Sequence, residues 1–392
     1  MSHSSGSSDV SNRNDVNGRH QQRSTRPPHS NSKDRTDVPN PIAEGLLKTA
    51  SALEQKLSSR TIQRDDTLGQ KFRLKLCETL SDLLLVHIPE AWTQDVPNRL
   101  WRMCFYNRIG ELRSRIAREG KRLKGSSAAA VDSASNKKEG LERALTTFLS
   151  EAIVLYDFLI QKYETMLSVN TSPPPQSKDA SHPESIDNKL KLTQKQILHR
   201  LLIHRGDLYR YSLLYGKAEM SYMASSLLLP NQGNPYNQLA VIAQHRDQAC
   251  VALYWYARSL LAPEPFETSR SNLGRLFHSN TNWLGRHAEK EHWWESPDNT
   301  VMKKMSRAEK TSIVKLFLAE YVDLHGNFCK GVSTAETDPT DVTDATAAAS
   351  KMDMLLSQFQ CLLAEQCLGD ALVLKMICIH VFSILSSQDA NG

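Results

Sequence analysis

One pattern occurs twice between positions 205 and 266, in the stretch RGDLYRYSLLYGKAEMSYMASSLLLPNQGNPYNQLAVIAQHRDQACVALYWYARSLLAPEPF. Small, aromatic and proline residues mark the first copy: Gly206, Tyr209, Ala218, Tyr222 and Pro230. The same offsets in the second copy hold Ala240, Ala243, Ala252, Tyr256 and Glu264, with Pro263 one place early. Small residues allow two antiparallel helices to approach closely, and aromatic residues fill the gap between hairpins. The stretch therefore predicts two stacked helical hairpins.

This residue pattern and its 34-residue period are those of tetratricopeptide repeats. The alternative interpretation is an ordinary pair of helical hairpins with a chance similarity. Agreement of both spacing and residue type at several positions favours the repeat. Repeats of this kind build concave surfaces that bind other molecules.

The rest of the chain also predicts helices. Apolar periodicity indicates helices at about 41–57, 68–87, 98–121 (with Asn98 as N-cap), 139–167, 193–215, 306–330 and 351–386, with shorter segments up to Phe277. Surface loops are predicted at 125–138, at 170–187, where a Ser-Pro-Pro-Pro run lies, and at 334–349. Val, Ile and Thr do not alternate with polar residues over the length of a strand, so we expect an all-α fold. The predicted divisions are a disordered polar tail at 1–39, a domain at 40–277 and a C-terminal domain at 278–388.

Composition bounds the classes of function. The 392 residues carry 48 basic and 43 acidic side chains, a net charge of +5, which is too mild for a protein that coats nucleic acid by charge alone. The seven cysteines are an odd number and lie mostly in apolar helical patterns, so we expect reduced core thiols in an intracellular protein. No N-terminal signal region or run of about 18 apolar residues is visible, so neither secretion nor a membrane partner is expected.

Motifs of catalysis and metal binding are missing from the sequence. It has no Gly-rich phosphate loop, nucleophile elbow or kinase motif, and its carboxylates are not clustered. His287 and His292 are five apart rather than four, and Cys361 and Cys367 have no second pair of cysteines at zinc-ligand spacing. We therefore expect no enzyme, no catalytic residue, no metal and no cofactor. The pair Trp293 and Trp294 is typical of packing, or less strongly of a stacking site.

Four short stretches together resemble one protein family. They are GDLYRY at 206–211, NPYNQLA at 234–240, YWYARSL at 254–260 followed by PF at 265–266, and the helix that starts LWR at 100–102 and runs through Ile109. In this order they are similar to the SMG adaptor proteins of nonsense-mediated mRNA decay and the related "ever shorter telomeres" proteins. The resemblance spans about 68–277, with a weaker continuation to 386. It implies a 14-3-3-like domain with tetratricopeptide hairpins at 40–277 and helical hairpins at 278–388. Some members also carry a PIN nuclease domain, and this sequence shows no such α/β segment.

The resemblance implies a phosphate pocket built from two helices. Arg210 and Tyr211 match the Arg-Tyr pair that ends a Gly-Asp-aromatic-aromatic-Arg-Tyr run in 14-3-3 proteins, with Leu208 in place of one aromatic residue. The second helix reads FYNRIGELR at 105–113, in which Asn107, Gly110 and Arg113 match, while Tyr106 replaces the expected lysine. Guanidinium groups suit a phosphate dianion because they donate paired hydrogen bonds to its oxygens.

Helical spacing adds Arg102 to this predicted pocket, and simpler explanations of the same residues also remain open. Arg102, Tyr106 and Arg113 are four and seven apart, so at about 100° per residue they project from nearly one face of an α-helix. Alternatively, Arg210 pairs with Asp207 on a solvated face, and the arginines of the second helix form an ordinary basic surface. Asn237 either contacts a peptide backbone or, as its surroundings favour, caps and packs a helix.

These features give three hypotheses for function. The first is an adaptor of nonsense-mediated decay that binds a phosphorylated serine or threonine segment of the pathway's RNA helicase, and that recruits decay factors or pairs with a related adaptor. The second is a telomerase-associated protein that contacts mRNA, telomerase RNA or single-stranded DNA through basic surfaces. The third is a tetratricopeptide scaffold for an unmodified peptide. The resemblance implies a cytoplasmic location, with the nucleus as a second one.

Overall fold

The computed structural model describes residues 40–59, 66–123, 128–169, 183–287, 299–331 and 342–388. The predicted tail at 1–39, the Pro-Pro-Pro run, His292 and the tryptophan pair at 293 and 294 lie outside the described residues. The helices, numbered in chain order, are α1 (Pro41–Leu57), α2 (Asp66–Val86), α3 (Ile88–Thr93), α4 (Val96–Arg99), the π segment (Leu100–Tyr106), α5 (Asn107–Leu123), α6 (Ala128–Val169), α7 (Pro183–Tyr211), α8 (Tyr215–Leu228), α9 (Asn234–His245), α10 (Ala249–Leu260), α11 (Thr268–His287), α12 (Asn299–Lys304), α13 (Arg307–Gly331), α14 (Val342–Ala364) and α15 (Asp370–Gln388). Within these ranges no strand forms, and the all-helical prediction is confirmed.

A first hydrophobic core joins α1 through α7. Leu80 and Leu84 of α2 pack with Trp101 of the π segment and with Tyr156 of α6, all almost fully buried. Part of α6, Ala134–Val169, is long and apolar enough to cross a membrane by length and composition alone. The same helix buries Tyr156, Leu159 and Tyr163 in this core, and 28% of its apolar window is buried.

The two repeat units are the hairpins α7–α8 and α9–α10. Their turns are alike: Leu213 and Asp247, which occupy equivalent repeat positions, adopt positive φ values of 60° and 56°. The following amides, of Leu214 and Gln248, each donate a 2.9 Å hydrogen bond to the carbonyl oxygen five positions earlier. Both units therefore close in the same way, as the repeat pattern predicts.

Close approach of the helices in the first unit depends on Gly206. A Cβ at this position would lie 2.6 Å from Cδ1 and 2.9 Å from Cζ of Tyr222, which is fully buried. Ala240 occupies the equivalent place in the second unit, and it belongs to the same hydrophobic core as the buried Tyr256. The first hairpin is thus packed more closely than the second at this point, since only a residue without a side chain fits.

A second hydrophobic core joins α9 through α15. It includes Phe277 and Leu284 of α11, Phe317 of α13, Leu362 of α14 and Ile379 of α15. The predicted division between residues 277 and 278 falls inside α11, whose two ends contribute to the same core. The helix predicted at 351–386 is two helices, because Gln366 adopts a φ of 51° in the turn between α14 and α15.

Several other predicted limits differ from the structure. Residues 128–138, 183–187 and 342–349, predicted as loops, are helical. Asn98 does not begin a helix as an N-cap; it lies inside α4, and its side chain donates a 2.9 Å hydrogen bond to Asp95. Of the cysteines that the structure describes, Cys104, Cys250 and Cys361 are buried, Cys77 and Cys367 are half-buried, and Cys378 is exposed rather than part of the core.

Candidate phosphate-binding site

Tyr211, the last residue of α7, is contacted by two arginines from different helices. The guanidinium carbon of Arg113 on α5 is 5.2 Å from the centre of its ring, and that of Arg210 is 4.7 Å from the same centre. The two guanidinium groups are therefore no more than about 10 Å apart, although their residues are nearly 100 positions apart in sequence. This separation allows one phosphate to contact both, because each hydrogen bond spans about 3 Å and the phosphate itself fills part of the gap.

Aromatic packing holds Tyr211 in place. The Trp101 ring lies parallel to the Tyr211 ring at 6.5 Å and parallel to His204 at 5.0 Å. Tyr106, which is 38% exposed, contacts the same tryptophan at 6.1 Å. Burial raises the pKa of Tyr211, so its hydroxyl stays protonated and is able to donate a hydrogen bond at neutral pH. Trp101 thus links Tyr211 on α7 with Tyr106 at the end of the π segment.

Arg210 is anchored by buried polar groups. Its Nη2 donates a 3.0 Å hydrogen bond to Oδ1 of Asp207, and its Nε lies 3.4 Å from the hydroxyl of Tyr222. Burial acts to lower the pKa of Arg210, but Tyr222, Tyr211 and Asp207 outweigh it and raise the pKa well above its usual value. The guanidinium therefore stays charged. The predicted pairing with Asp207 is present, but the prediction of a solvated face is wrong, because the two side chains are only 14% and 5% exposed.

Arg102 lies in the π segment. The amide of Asn107 donates to the carbonyl oxygen of Arg102, five positions earlier, so the rotation of about 100° per residue does not apply between Arg102 and Tyr106. A π turn is only slightly longer than an α turn, so side chains four positions apart still project to the same side, and the place of Arg102 in the pocket stays a prediction. Arg102 is exposed, and Asn107, also exposed, directs its side-chain amide at the sulfur of Met103, 3.9 Å away.

Other arginines of α5 fit the simpler explanation. Arg108 and Arg115 both pair with Glu111, at 2.8 and 3.5 Å. Ion pairs between neighbouring turns of one helix contribute little to stability. They form a mixed-charge surface, while Arg113 on the same helix contacts the Tyr211 ring.

Asn237 lies elsewhere, in the packing between α9 and α11. Its side chain is 3% exposed, and its Oδ1 accepts hydrogen bonds from Ser269 at 3.1 Å and from Asn272 at 2.8 Å. Ser269 in turn bonds to Ser259 of α10. The placement of Asn237 among the peptide-binding residues is therefore corrected: it joins three helices in their interior, which is the packing role that its sequence surroundings favoured.

Sequence reasoning missed a groove beside the second repeat unit. Two adjoining cavities, of about 300 and 280 Å³, share Pro230, Tyr236 and Arg258. The Arg258 guanidinium carbon lies 4.8 Å from the centre of the Tyr236 ring, and its Nη1 donates a 3.3 Å hydrogen bond to the hydroxyl of Tyr254. Lys375 of α15 lies 5.6 Å from the centre of the Tyr254 ring. The sequence signal was the Tyr254–Arg258 spacing of four, which places both side chains on one side of a helix.

Metal binding has no support in the described part of the chain. Among those residues no group of three or more histidine, cysteine or acidic side chains is arranged to hold an ion. The site's chemistry is that of cations and hydroxyl donors, which suits an anionic ligand.

Comparison with known families identifies two adjacent matches. A profile described as "Telomerase activating protein Est1" matches residues 95–216, and one described as "Est1 DNA/RNA binding domain" matches residues 218–391. The first match contains Arg113, Arg210 and Tyr211, and the second contains the groove around Arg258.

Individual relatives agree with these matches. The chain is 23% identical over 359 residues to nonsense-mediated mRNA decay factor SMG7 of Danio rerio, covering 88% of this chain and 26% of that protein. It is 32% identical over 196 residues to SMG7 of Arabidopsis thaliana, covering 46% of this chain and 18% of that protein. It is 27% identical over 249 residues to telomerase-binding protein EST1A of Danio rerio, covering 59% of this chain and 15% of that protein. The chain thus spans about a quarter or less of these proteins' lengths. A solved structure described as "Crystal structure of Est1 and Cdc13" shares the fold, with a TM-score of 0.56 and 15% identity over 89% of this chain and 65% of that one.

Proposed function

Because this chain belongs to the family of Est1 telomerase proteins and SMG decay factors, we propose that it is an adaptor that binds phosphorylated serine or threonine segments at Arg113, Arg210 and Tyr211. The observation that carries the proposal is the contact of both guanidinium groups with one tyrosine ring. Two cations and a hydroxyl donor on one spot match a phosphate dianion, which accepts several charge-assisted hydrogen bonds.

The three groups play different parts in this proposal. Arg210 is a fixed cation, since Asp207 and Tyr222 hold it. Arg113 approaches from α5 and supplies the second charge, and the protonated Tyr211 donates through its hydroxyl. Tyr106 stands at the rim in place of a lysine, so we expect weaker binding than in a pocket with three cations.

The wider role follows from the relatives. Those named for nonsense-mediated decay and those named for telomerase support a part in one of these processes. Within it we propose the phosphorylated RNA helicase of nonsense-mediated decay as partner, and a related adaptor as a second subunit. The proposed activity is binding alone, without catalysis, in the cytoplasm and secondarily in the nucleus.

The test is calorimetric titration of the chain with one serine peptide in its phosphorylated and unphosphorylated forms. We expect clear preference for the phosphorylated form, lost in Arg113→Glu because the new carboxylate repels the phosphate. Arg118→Glu is the matched control, an exposed arginine on the same helix. Equal affinity for both peptide forms would refute the proposal and favour a scaffold for unmodified peptides.

Charge reversal at Arg210 is not a clean test. Arg210→Glu would place a second carboxylate beside the buried Asp207, and a buried charge without its partner is strongly destabilising. The loss of binding would then reflect unfolding. Arg113→Glu is the better test, because it changes a side chain that contacts the ring of Tyr211 and leaves the pair of Arg210 with Asp207 in place.

A second candidate function is binding of single-stranded nucleic acid. The observation in its favour is the groove around Arg258 and Tyr254, with Lys375 beside it, inside the region matched by the "Est1 DNA/RNA binding domain" profile. Cations next to aromatic rings are typical of surfaces that bind single strands. Titration with oligo(U) and oligo(dT) at several salt concentrations tests it. We expect affinity to fall with salt, and the slope to shrink in Arg258→Glu with Lys375→Glu. Unchanged binding in the double variant would exclude the groove.

A further inference from the structure

Tyr222 of α8 reaches across the first repeat hairpin to the candidate site. Its hydroxyl donates a 2.7 Å hydrogen bond to Oδ1 of Asp207 and lies 3.4 Å from Nε of Arg210. Asp207 Oδ1 also accepts from Nη2 of Arg210 at 3.0 Å. The three side chains thus form a closed ring of contacts in which the tyrosine touches both the carboxylate and the guanidinium.

The second repeat unit contains an equivalent tyrosine contact, but between uncharged side chains. Tyr256, the repeat equivalent of Tyr222, donates a 2.6 Å hydrogen bond to Gln244, which occupies the position equivalent to Arg210. Both tyrosines are almost fully buried, and both reach the equivalent position on the preceding helix. The tyrosine is therefore a general packing element of the hairpin, and only the first unit places an arginine at the end of that contact.

We infer that Tyr222 is a positioning residue for phosphate binding, which holds Arg210 in the orientation that faces Tyr211 and Arg113. Two groups fix the guanidinium: Asp207 holds Nη2 and Tyr222 contacts Nε. A planar group held at two of its nitrogens cannot rotate about its long side chain, so less freedom is lost when it binds a phosphate. Nη1 of Arg210 takes part in neither of these two contacts, and we expect the phosphate to bind there. This inference rests on the proposed phosphopeptide function.

Tyr222→Phe is the test variant, because it keeps the ring that packs on Gly206 and removes only the hydroxyl. We expect its affinity for the phosphorylated peptide to fall about 3- to 10-fold, the range that one hydrogen bond supplies. Affinity for the unphosphorylated peptide should not change. Tyr256→Phe is the matched control: it removes the equivalent buried hydroxyl from the uncharged unit, so binding should change less than about twofold. The second readout is the NMR resonance of the Arg210 Nε–H, which should shift in Tyr222→Phe and stay unchanged in Tyr256→Phe.

The outcomes separate this inference from the proposed function. If the wild type prefers the phosphorylated peptide and Tyr222→Phe binds equally well, the inference is overturned and the proposed function stands. Equal losses in both variants would also overturn it, since they would indicate general loosening of the hairpins. If the wild type shows no preference, the proposed function fails, and the Nε–H resonance still decides whether Tyr222 holds Arg210.

Discussion

Replacing Gly206 with alanine tests how closely the first repeat hairpin is packed. The new Cβ would lie 2.6 Å from Cδ1 and 2.9 Å from Cζ of Tyr222, whereas carbon atoms in contact prefer about 3.5–4.0 Å. The tyrosine ring would have to move by about 1 Å, in a site where it is fully buried and bonded to Asp207. Overpacking of this kind costs about 1–3 kcal/mol, and a weakened hydrogen bond adds about 1 kcal/mol.

Helix propensity opposes this steric cost, and the two together set the net change in the free energy of unfolding. Alanine favours a helix over glycine by about 1 kcal/mol, so Gly206→Ala should lower the free energy of unfolding by about 1–3 kcal/mol overall. Gly274 in α11 is the matched control, because a Cβ there meets no atom within 4 Å. Gly274→Ala should raise the free energy of unfolding by about 0.5–1 kcal/mol.

Urea unfolding followed by circular dichroism measures both variants, with extrapolation to water. The comparison isolates the steric cost, since both changes gain the same helix propensity. A Gly206→Ala variant as stable as Gly274→Ala would mean that the hairpin has room for a side chain, and the explanation of this glycine in the repeat would be wrong.

Three further predictions concern the core and the site. Tyr222→Ala and Tyr256→Ala should each destabilise the fold by about 2–4 kcal/mol in urea unfolding, because both rings are buried; a value near zero for either would contradict the repeat alignment. Burial lowers the pKa of His204 to about 3 from 6.5, so the unfolded chain binds more protons than the fold below pH 6.5 and stability rises with pH from about 3 to 6.5. His204→Phe should reduce that slope by up to about 1.4 kcal/mol per pH unit in unfolding curves, and an unchanged slope would mean that the folded histidine titrates normally. Tyr106→Lys should tighten binding of the phosphorylated peptide in calorimetry, and weaker binding would show that residue 106 does not face the ligand.

The repeat and most of the helices could be predicted from sequence because they depend on local patterns. The limits of α1 agree with the apolar spacing, and the turns at Leu213 and Asp247 follow the repeat period. The start of α6 was predicted as a loop from its serine and lysine content. Its alanines favour a helix, and Lys137 pairs with Glu119 of α5 at 3.1 Å, a tertiary contact that no local pattern shows.

The site was predicted in part. Resemblance to a family predicted that Arg113, Arg210 and Tyr211 lie close together, and in the structure both guanidinium groups contact the Tyr211 ring. The π geometry of Leu100–Tyr106 was not predicted, because the apolar spacing of this segment indicates only a helix. The contact of Tyr222 with the site was also missed. The repeat position of Tyr222 predicts that its ring packs in the core, but not that its hydroxyl donates a hydrogen bond to the Asp207 carboxylate.

The π segment has a consequence for which sequence changes the site tolerates. A π turn holds one more residue than an α turn, so it is equivalent to a single-residue insertion absorbed within a continuous helix. Removing one residue from Leu100–Tyr106 would return the segment to α geometry and leave α5 in nearly the same orientation relative to α4, because the extra residue of the π turn is the one that is lost. Arg113 would then stay beside Tyr211. A deletion inside α5 before Arg113 has no extra residue to remove, and it would turn Arg113 by about 100° away from Tyr211. A one-residue deletion should therefore damage binding far less in the π segment than in α5.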